Sequence, residues 1–310
     1  MFKLLAVCSF CIGIVYVTLY ESSKMKDHSF LFVKGDNIYE SIKKDGSFGK
    51  AALFFIVEKV SVLKRKLQTG EYKIHYNESA LSVFCKITNG NDVTRKLTIP
   101  EGLTTQMIVE ILNNNEFLTG EIEGCPEEAS LMPDTYFYKF HDTRKSIIDK
   151  MASQMQNTIL QLQAKNNTGI SIKDIIILAS IIEKETGLDE ERRIVSSVYH
   201  NRLKKKMRLQ SCPTVIYAVS NGYGKINRAL TKKDLFSASP FNTYRVNGMP
   251  PTPICCPGKK AIEAALNPAD TNFLYFVLSE DGVHHKFSGD FAEQVKNKNN
   301  RKKAMRSKGH

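Results

Sequence analysis

Glu183 and Glu185 close one of the most apolar runs of the chain, DIIILASIIEKETG at residues 174–187. A carboxyl group in such a place can serve as general acid or base, provided its surroundings bring its pKa toward neutrality. The run has ordinary helix length, with Asp174 as the expected N-cap and Gly187 as the expected C′ residue. At about 100° per residue, Leu178, Ile181, Ile182 and Glu185 share one face. Glu183 is turned by roughly 200° from Glu185 and lies with Ala179 and Ser180. Glu185 therefore continues the stripe that must enter the core. Desolvation there favours the neutral acid and raises its pKa. The alternative is a pair of solvated glutamates at a fraying helix end.

The elements that must position these carboxyls form a mixed α+β pattern. FLFVKG reads as a strand, IYESIKK as a short helix, AALFFIVEKVSVLKRKL as an amphipathic helix and TGEYKIHY as a turn into a strand. SALSVFCKITNG adds a helix closed by Gly90, and the whole of 29–95 suits a small α+β module. A larger α+β domain is expected over 96–296. It opens with a strand, a Pro-Glu-Gly turn and a helix capped at Thr104 or Thr105. A long amphipathic helix precedes the glutamate run and a second helix, residues 190–205, follows it. Gln210 and Thr214 then flank what reads as a proline turn. The proline-rich stretch 238–258 has the Tyr, Asn and Thr content of a carbohydrate-binding groove. NFLYFVLSEDGVHHKF is an expected hairpin with a strongly buried first strand, and 297–310 an expected fraying basic tail.

Composition bounds the partners. The 310 residues carry a net charge of +12, with basic runs at 204–206 and in the C-terminal tail. No RNP motif, zinc spacing or basic helix leading into heptads is present, which argues against nucleic acid. An anionic polymer or a membrane surface fits the charge. Two of the seven cysteines, Cys8 and Cys11, lie in the N-terminal apolar run, and the other five, Cys85, Cys125, Cys212, Cys255 and Cys256, show neither metal spacing nor a disulfide framework. Residues 4–20 are apolar almost throughout and lack an A-x-A cleavage site, so 1–22 is expected as a membrane anchor rather than a signal peptide.

ASIIEKETG, VYHNRL, MRLQSCPTVIYAV, SPFNTYRVNGMPPTPICCPG, AALNPADTNFLYFV and HHKFS follow one another at spacings that resemble the endolytic murein transglycosylases, the YceG-like family. FVKGDNIYESI, LQTGEYKI and LTIPEGLTTQMI resemble that family's LysM-like region and its junction to the catalytic domain, and SLMPDTYFY its L-x-PDTY segment. The resemblance implies a single-pass protein of the bacterial inner membrane with its catalytic domain in the periplasm. It implies cleavage of the MurNAc–GlcNAc β-1,4 bond within peptidoglycan strands, leaving 1,6-anhydro ends, without cofactor or metal. Peptidoglycan synthases are implied partners. Glu185 matches the family's catalytic glutamate.

Such chemistry needs one carboxyl, because the muramoyl C6 hydroxyl replaces the water that a hydrolase activates with a second. Asn201, Gln210, Thr214, Asn242, Thr243 and Tyr244 are candidate sugar contacts, Tyr217 a candidate stacking face, and His285 matches a family histidine. Each has a plain structural alternative as a helix cap, loop brace or hairpin residue. The chain departs from the family's L-Q-x-D-P-T at Cys212, and from its His-Asn pair at Gln294 and Val295. Cys212 keeps a second reading open, a membrane-anchored peptidoglycan-binding scaffold without turnover. A lysozyme-like hydrolase is a third.

Overall fold

The structure, a computed structural model, describes residues 28–32, 68–75, 80–90, 93–163 and 169–307. The expected anchor at 1–22 and the two helices expected between 37 and 67 lie outside the described residues. The chain divides into two compact units, 1–96 with 137–142 and 97–136 with 143–310.

In the first unit β1 (His28–Phe32) runs antiparallel to β2 (Gly70–Ile74), with His28 opposite Ile74. Helix α1 (Ala80–Asn89) follows and ends at Gly90 in the left-handed region, φ 70°, which glycine enters without a Cβ penalty. Tyr72 of β2 is fully buried and its hydroxyl donates to the Gln68 carbonyl, so its polar end is satisfied inside the unit. Strands β3 (Thr94–Thr98) and β4 (Thr135–Lys139) form a second two-stranded sheet.

The second unit begins with α2 (Thr105–Asn113), whose N-cap Thr104 accepts the Met107 N–H. Its open C-terminal carbonyls are met from α3 (Arg144–Gln163), where the Arg144 guanidinium donates to Leu112, Asn113, Asn115 and Gly120. The central element is α4 (Ile172–Glu185). Every residue from Ile175 to Ile182 is buried, the pattern of a helix enclosed on all sides. Full burial of each isoleucine or leucine contributes about 1.5–3 kcal/mol. Ser171, not Asp174, caps the helix: the Ser171 hydroxyl accepts the Asp174 N–H, and Asp174 sits at the third helical position. Nor does Gly187 form a left-handed cap, because Thr186 leaves the helix in extended conformation.

Around α4 pack α5 (Asp189–Lys204), α6 (Cys212–Val219) and α8 (Lys259–Leu266), with the short α7 (Lys232–Leu235) between the last two in sequence. The expected proline turn at 210–214 is instead the start of α6, where Pro213 occupies the first turn and its missing N–H costs no hydrogen bond. Strands β5 (Tyr275–Leu278) and β6 (His285–Ser288) form the expected hairpin. All of β5 is half-buried rather than strongly buried. The polar tail is also ordered differently: α9 (Phe291–Ser307) is helical through 307. Asp290 accepts the Glu293 N–H at its start, and Gln294 bridges Ser288 Oγ and the Phe276 carbonyl, fixing the first turns on the hairpin.

Candidate active site

Glu185 stands in the last turn of α4, half-buried. Its Oε1 accepts two hydroxyl donors, Ser211 Oγ at 2.6 Å and Tyr199 Oη at 2.9 Å. Oε2 accepts no hydrogen bond from any described residue. Burial raises the Glu185 pKa. The Ser211 and Tyr199 hydrogen bonds, and the electrostatic influence of His285 and Arg202, pull it the other way without cancelling the rise. The carboxyl is thus a fixed acid with one oxygen anchored and one open.

Each neighbour is held by its own element. Tyr199 projects from α5, almost fully buried, edge-on to Phe276 with centroids 6.0 Å apart. Arg202, one turn later, is buried; Nε donates to Leu274 O at 2.7 Å and Nη1 to Leu209 O at 2.7 Å, with Cζ 5.3 Å from the Tyr275 ring. Ser211 is set by a pair of buried threonines. Thr243 Oγ1 accepts the Ser211 N–H at 2.9 Å, and the Thr243 and Thr214 hydroxyls meet at 2.8 Å. Gln210 precedes Ser211 in left-handed conformation, φ 48°, its N–H bound to Thr243 O. His285 is fixed by Glu191 of α5, which accepts both the His285 N–H at 2.7 Å and a hydrogen bond with Nδ1 at 2.6 Å. Thr186 Oγ1 also reaches Glu191, at 3.5 Å, so the residue after the acid is tied to the histidine through one carboxylate.

Glu183, turned away from Glu185 as its register requires, serves a different purpose. Its Oε1 pairs with Arg192 Nη1 at 2.9 Å and its Oε2 accepts the Gly258 N–H at 2.9 Å. Both side chains of the pair are nearly buried, which makes Glu183 a brace between α4, α5 and the start of α8.

Thr214, Asn242 and Thr243, read from the sequence as groove residues, are fully buried. Their polar atoms are committed to the protein: Asn242 Nδ2 to the Leu235 and Ser237 carbonyls, Thr214 and Thr243 to Ser211 and each other. They position the loop and Ser211 rather than line a surface. Asn201 donates to the Thr271 and Phe273 carbonyls at 2.7 and 3.0 Å and holds the approach to β5. Gln210, Tyr217, Tyr244 and His285 keep exposed surface. Tyr217 packs on Phe241, and its hydroxyl contacts Glu128, a carboxyl whose pKa burial raises. The Tyr244 hydroxyl lies 3.1 Å from Cys212 Sγ, and the charge of Glu185 acts on both.

Sequence reasoning passes over Tyr199, Ser211 and Glu191. Register was the available signal for Tyr199: Val195, Tyr199 and Arg202 share one face of α5, and Asn201 stands about 120° away. Ser211 carries no local signal, since a left-handed residue and two distant threonines aim it. Among the described residues no cluster of three His, Cys, Asp or Glu is arranged to hold a metal ion, and Cys85, Cys125, Cys212, Cys255 and Cys256 are free thiols.

Comparison with known proteins gives relatives of one kind. Over 160 residues the chain is 38% identical to the endolytic murein transglycosylase of Bacillus subtilis (strain 168), covering 51% of this chain and 43% of that protein. Over 305 residues it is 26% identical to the endolytic murein transglycosylase of Streptococcus pneumoniae (strain ATCC BAA-255 / R6), covering 81% and 54%. The chain thus spans about half the length of the curated relatives it matches. The crystal structure of a yceG-like protein from Listeria monocytogenes superposes with a TM-score of 0.56 at 28% identity, covering 88% of this chain and 99% of that one. The profile of the YceG-like family matches residues 33–300, and over that span the chain belongs to the YceG-like family.

Proposed function

We propose that this protein is an endolytic lytic transglycosylase of peptidoglycan. The observation that carries the reading is Glu185, its pKa raised by burial, Oε1 fixed by Tyr199 and Ser211 and Oε2 open. The names of the curated relatives support it. In the cleavage step Glu185 protonates the glycosidic oxygen and the bond to the muramoyl anomeric carbon breaks. The resulting carboxylate takes the proton of the muramoyl C6 hydroxyl as that oxygen bonds to the anomeric carbon, forming the 1,6-anhydro ring. The acid is restored and no water is consumed. Arg202 and the tyrosines around Glu185 provide a fixed polar surround for the oxocarbenium-like transition state. Gln210, Tyr217, Tyr244 and His285 are the proposed strand contacts.

A hydrolase would need a second free carboxylate. Glu183 is taken by Arg192 and Gly258, and Glu191 by His285, which favours the anhydro route. A binding scaffold has no comparable use for an acid with raised pKa. The proposal extends to a membrane anchor at 1–22, a LysM-like module at 29–95, a periplasmic catalytic domain at 96–296 and association with peptidoglycan synthases. Digestion of purified peptidoglycan with mass spectrometry of the products tests the activity. Anhydro-muramoyl ends that vanish with Glu185→Gln support it; reducing ends indicate a hydrolase, and absence of products a scaffold. Fractionation of the full chain with membranes tests the anchor.

A further inference from the structure

A cavity of about 880 Å³ lies beside Tyr244, lined by Arg208, Lys232, Leu235, Phe236, Tyr244 and Arg245. Three of the six are cations and none is an acid. Arg208 Nη1 donates to Tyr244 O at 3.1 Å and its Nε to Asn247 Oδ1 at 3.4 Å, while Arg245 Nη1 donates to Phe236 O at 2.8 Å. Asp234, two residues after Lys232, is already engaged by Arg228 and by the Thr231 cap. Among the described residues none of the three lining cations has a carboxylate partner. Phe236 is 72% exposed and supplies an apolar wall.

The cavity is joined to the acid by a chain of contacts: the residue before Cys212 is Ser211, whose Oγ donates to Glu185 at 2.6 Å. Tyr244 lines the cavity and also touches Cys212 Sγ at 3.1 Å, and both residues lie within electrostatic reach of Glu185. Lys298 of α9 adds positive charge on the Cys212 side. Three like charges around one cavity repel each other, and an anionic guest relieves that repulsion. A guest that reaches the cavity from Glu185 is part of the strand being cut. On a muramoyl residue that part is the lactyl-linked stem peptide, with free carboxylates for Arg208, Lys232 and Arg245 and alanine methyls for Leu235 and Phe236. Resting on the function proposed above, we infer that this cavity is a subsite for the carboxylate-bearing stem peptide, so that the substrate is the peptide-substituted strand.

Binding is measured with the Glu185→Gln form of the full chain, which separates recognition from turnover. The probes are defined glycan strands with stem peptides, the same strands denuded by amidase, and poly(glycerol phosphate). Peptide-bearing strands bind more tightly than denuded ones. The advantage falls about threefold when either Lys232→Gln or Arg245→Gln is added and roughly tenfold with both, as expected for exposed charge contacts. Arg245→Lys retains part of it. Equal affinity for the two strands, or an advantage unchanged in the double variant, overturns the subsite. Tighter binding of poly(glycerol phosphate) overturns the peptide as its occupant. Absence of anhydro products from the wild-type chain would overturn the proposed activity alone, because the binding difference is read without cleavage.

Discussion

The Tyr199 hydroxyl stands 2.9 Å from Glu185 Oε1 and donates to it across the α4–α5 packing. Ser211 donates to the same oxygen. Both favour the carboxylate while burial favours the acid, and burial prevails. Tyr199→Phe or Ser211→Ala therefore raises the Glu185 pKa further. The alkaline limb of kcat/KM shifts up by about one pH unit for each lost donor. A limb that moves down would mean that the hydroxyls stabilise the neutral acid.

Replacement of the acid itself separates activity from stability. Glu185→Gln lowers the cleavage rate by roughly 10²–10⁴-fold. The folded-state pKa of Glu185 lies above its unfolded value, so its contribution to stability is present at low pH and lost as pH rises through the folded value. The variant removes that loss. Its stability relative to wild type is greater at pH 8 than at pH 4, measured by urea unfolding at the two values.

Glu183 is expected to behave in the opposite way. Glu183→Ala leaves the buried Arg192 guanidinium with weaker partners and the Gly258 N–H without its acceptor. A loss of about 3 kcal/mol follows for breaking such a pair. The activity of the molecules that remain folded stays near wild type. Inactivity in a fully folded Glu183→Ala protein would move the catalytic role from Glu185 to Glu183.

Cys212 offers a test of electrostatics at the site. Although the residue keeps exposed surface, partial desolvation and the nearby Glu185 raise its thiol pKa. Cys212→Asp places a second carboxylate within electrostatic reach of Glu185. Like charge there raises the Glu185 pKa and moves the alkaline limb of kcat/KM upward. Cys212→Ser, which adds no charge, leaves the limb in place.

Helical register made the placing of Glu185 beside Leu178, Ile181 and Ile182 readable, because i, i+3, i+4 and i+7 lie together on any helix, including one enclosed on all sides. The same rule separates Glu183 from Glu185. What escaped the sequence depends on residues brought from afar. Ser211 is 26 positions from Glu185, and its hydroxyl is aimed by Thr214 and Thr243. Asn201, Asn242, Thr214 and Thr243 resembled sugar ligands because amides and hydroxyls suit sugars equally well as carbonyls. Burial decided for Asn242, Thr214 and Thr243, whereas the half-buried Asn201 is held by the Thr271 and Phe273 carbonyls. At Pro213 the strongest local punctuation mark was misread, since proline opens a helix as readily as it makes a turn.

Gln210 gives one backbone angle an outsized influence. For a single residue the chain winds with the opposite hand, and the next hydroxyl meets the acid. Glycine there would keep the path at ease, whereas valine or isoleucine would resist it and swing Ser211 off its mark. Variation at position 210 is thus filtered by how the main chain bends rather than by what the side chain can bind.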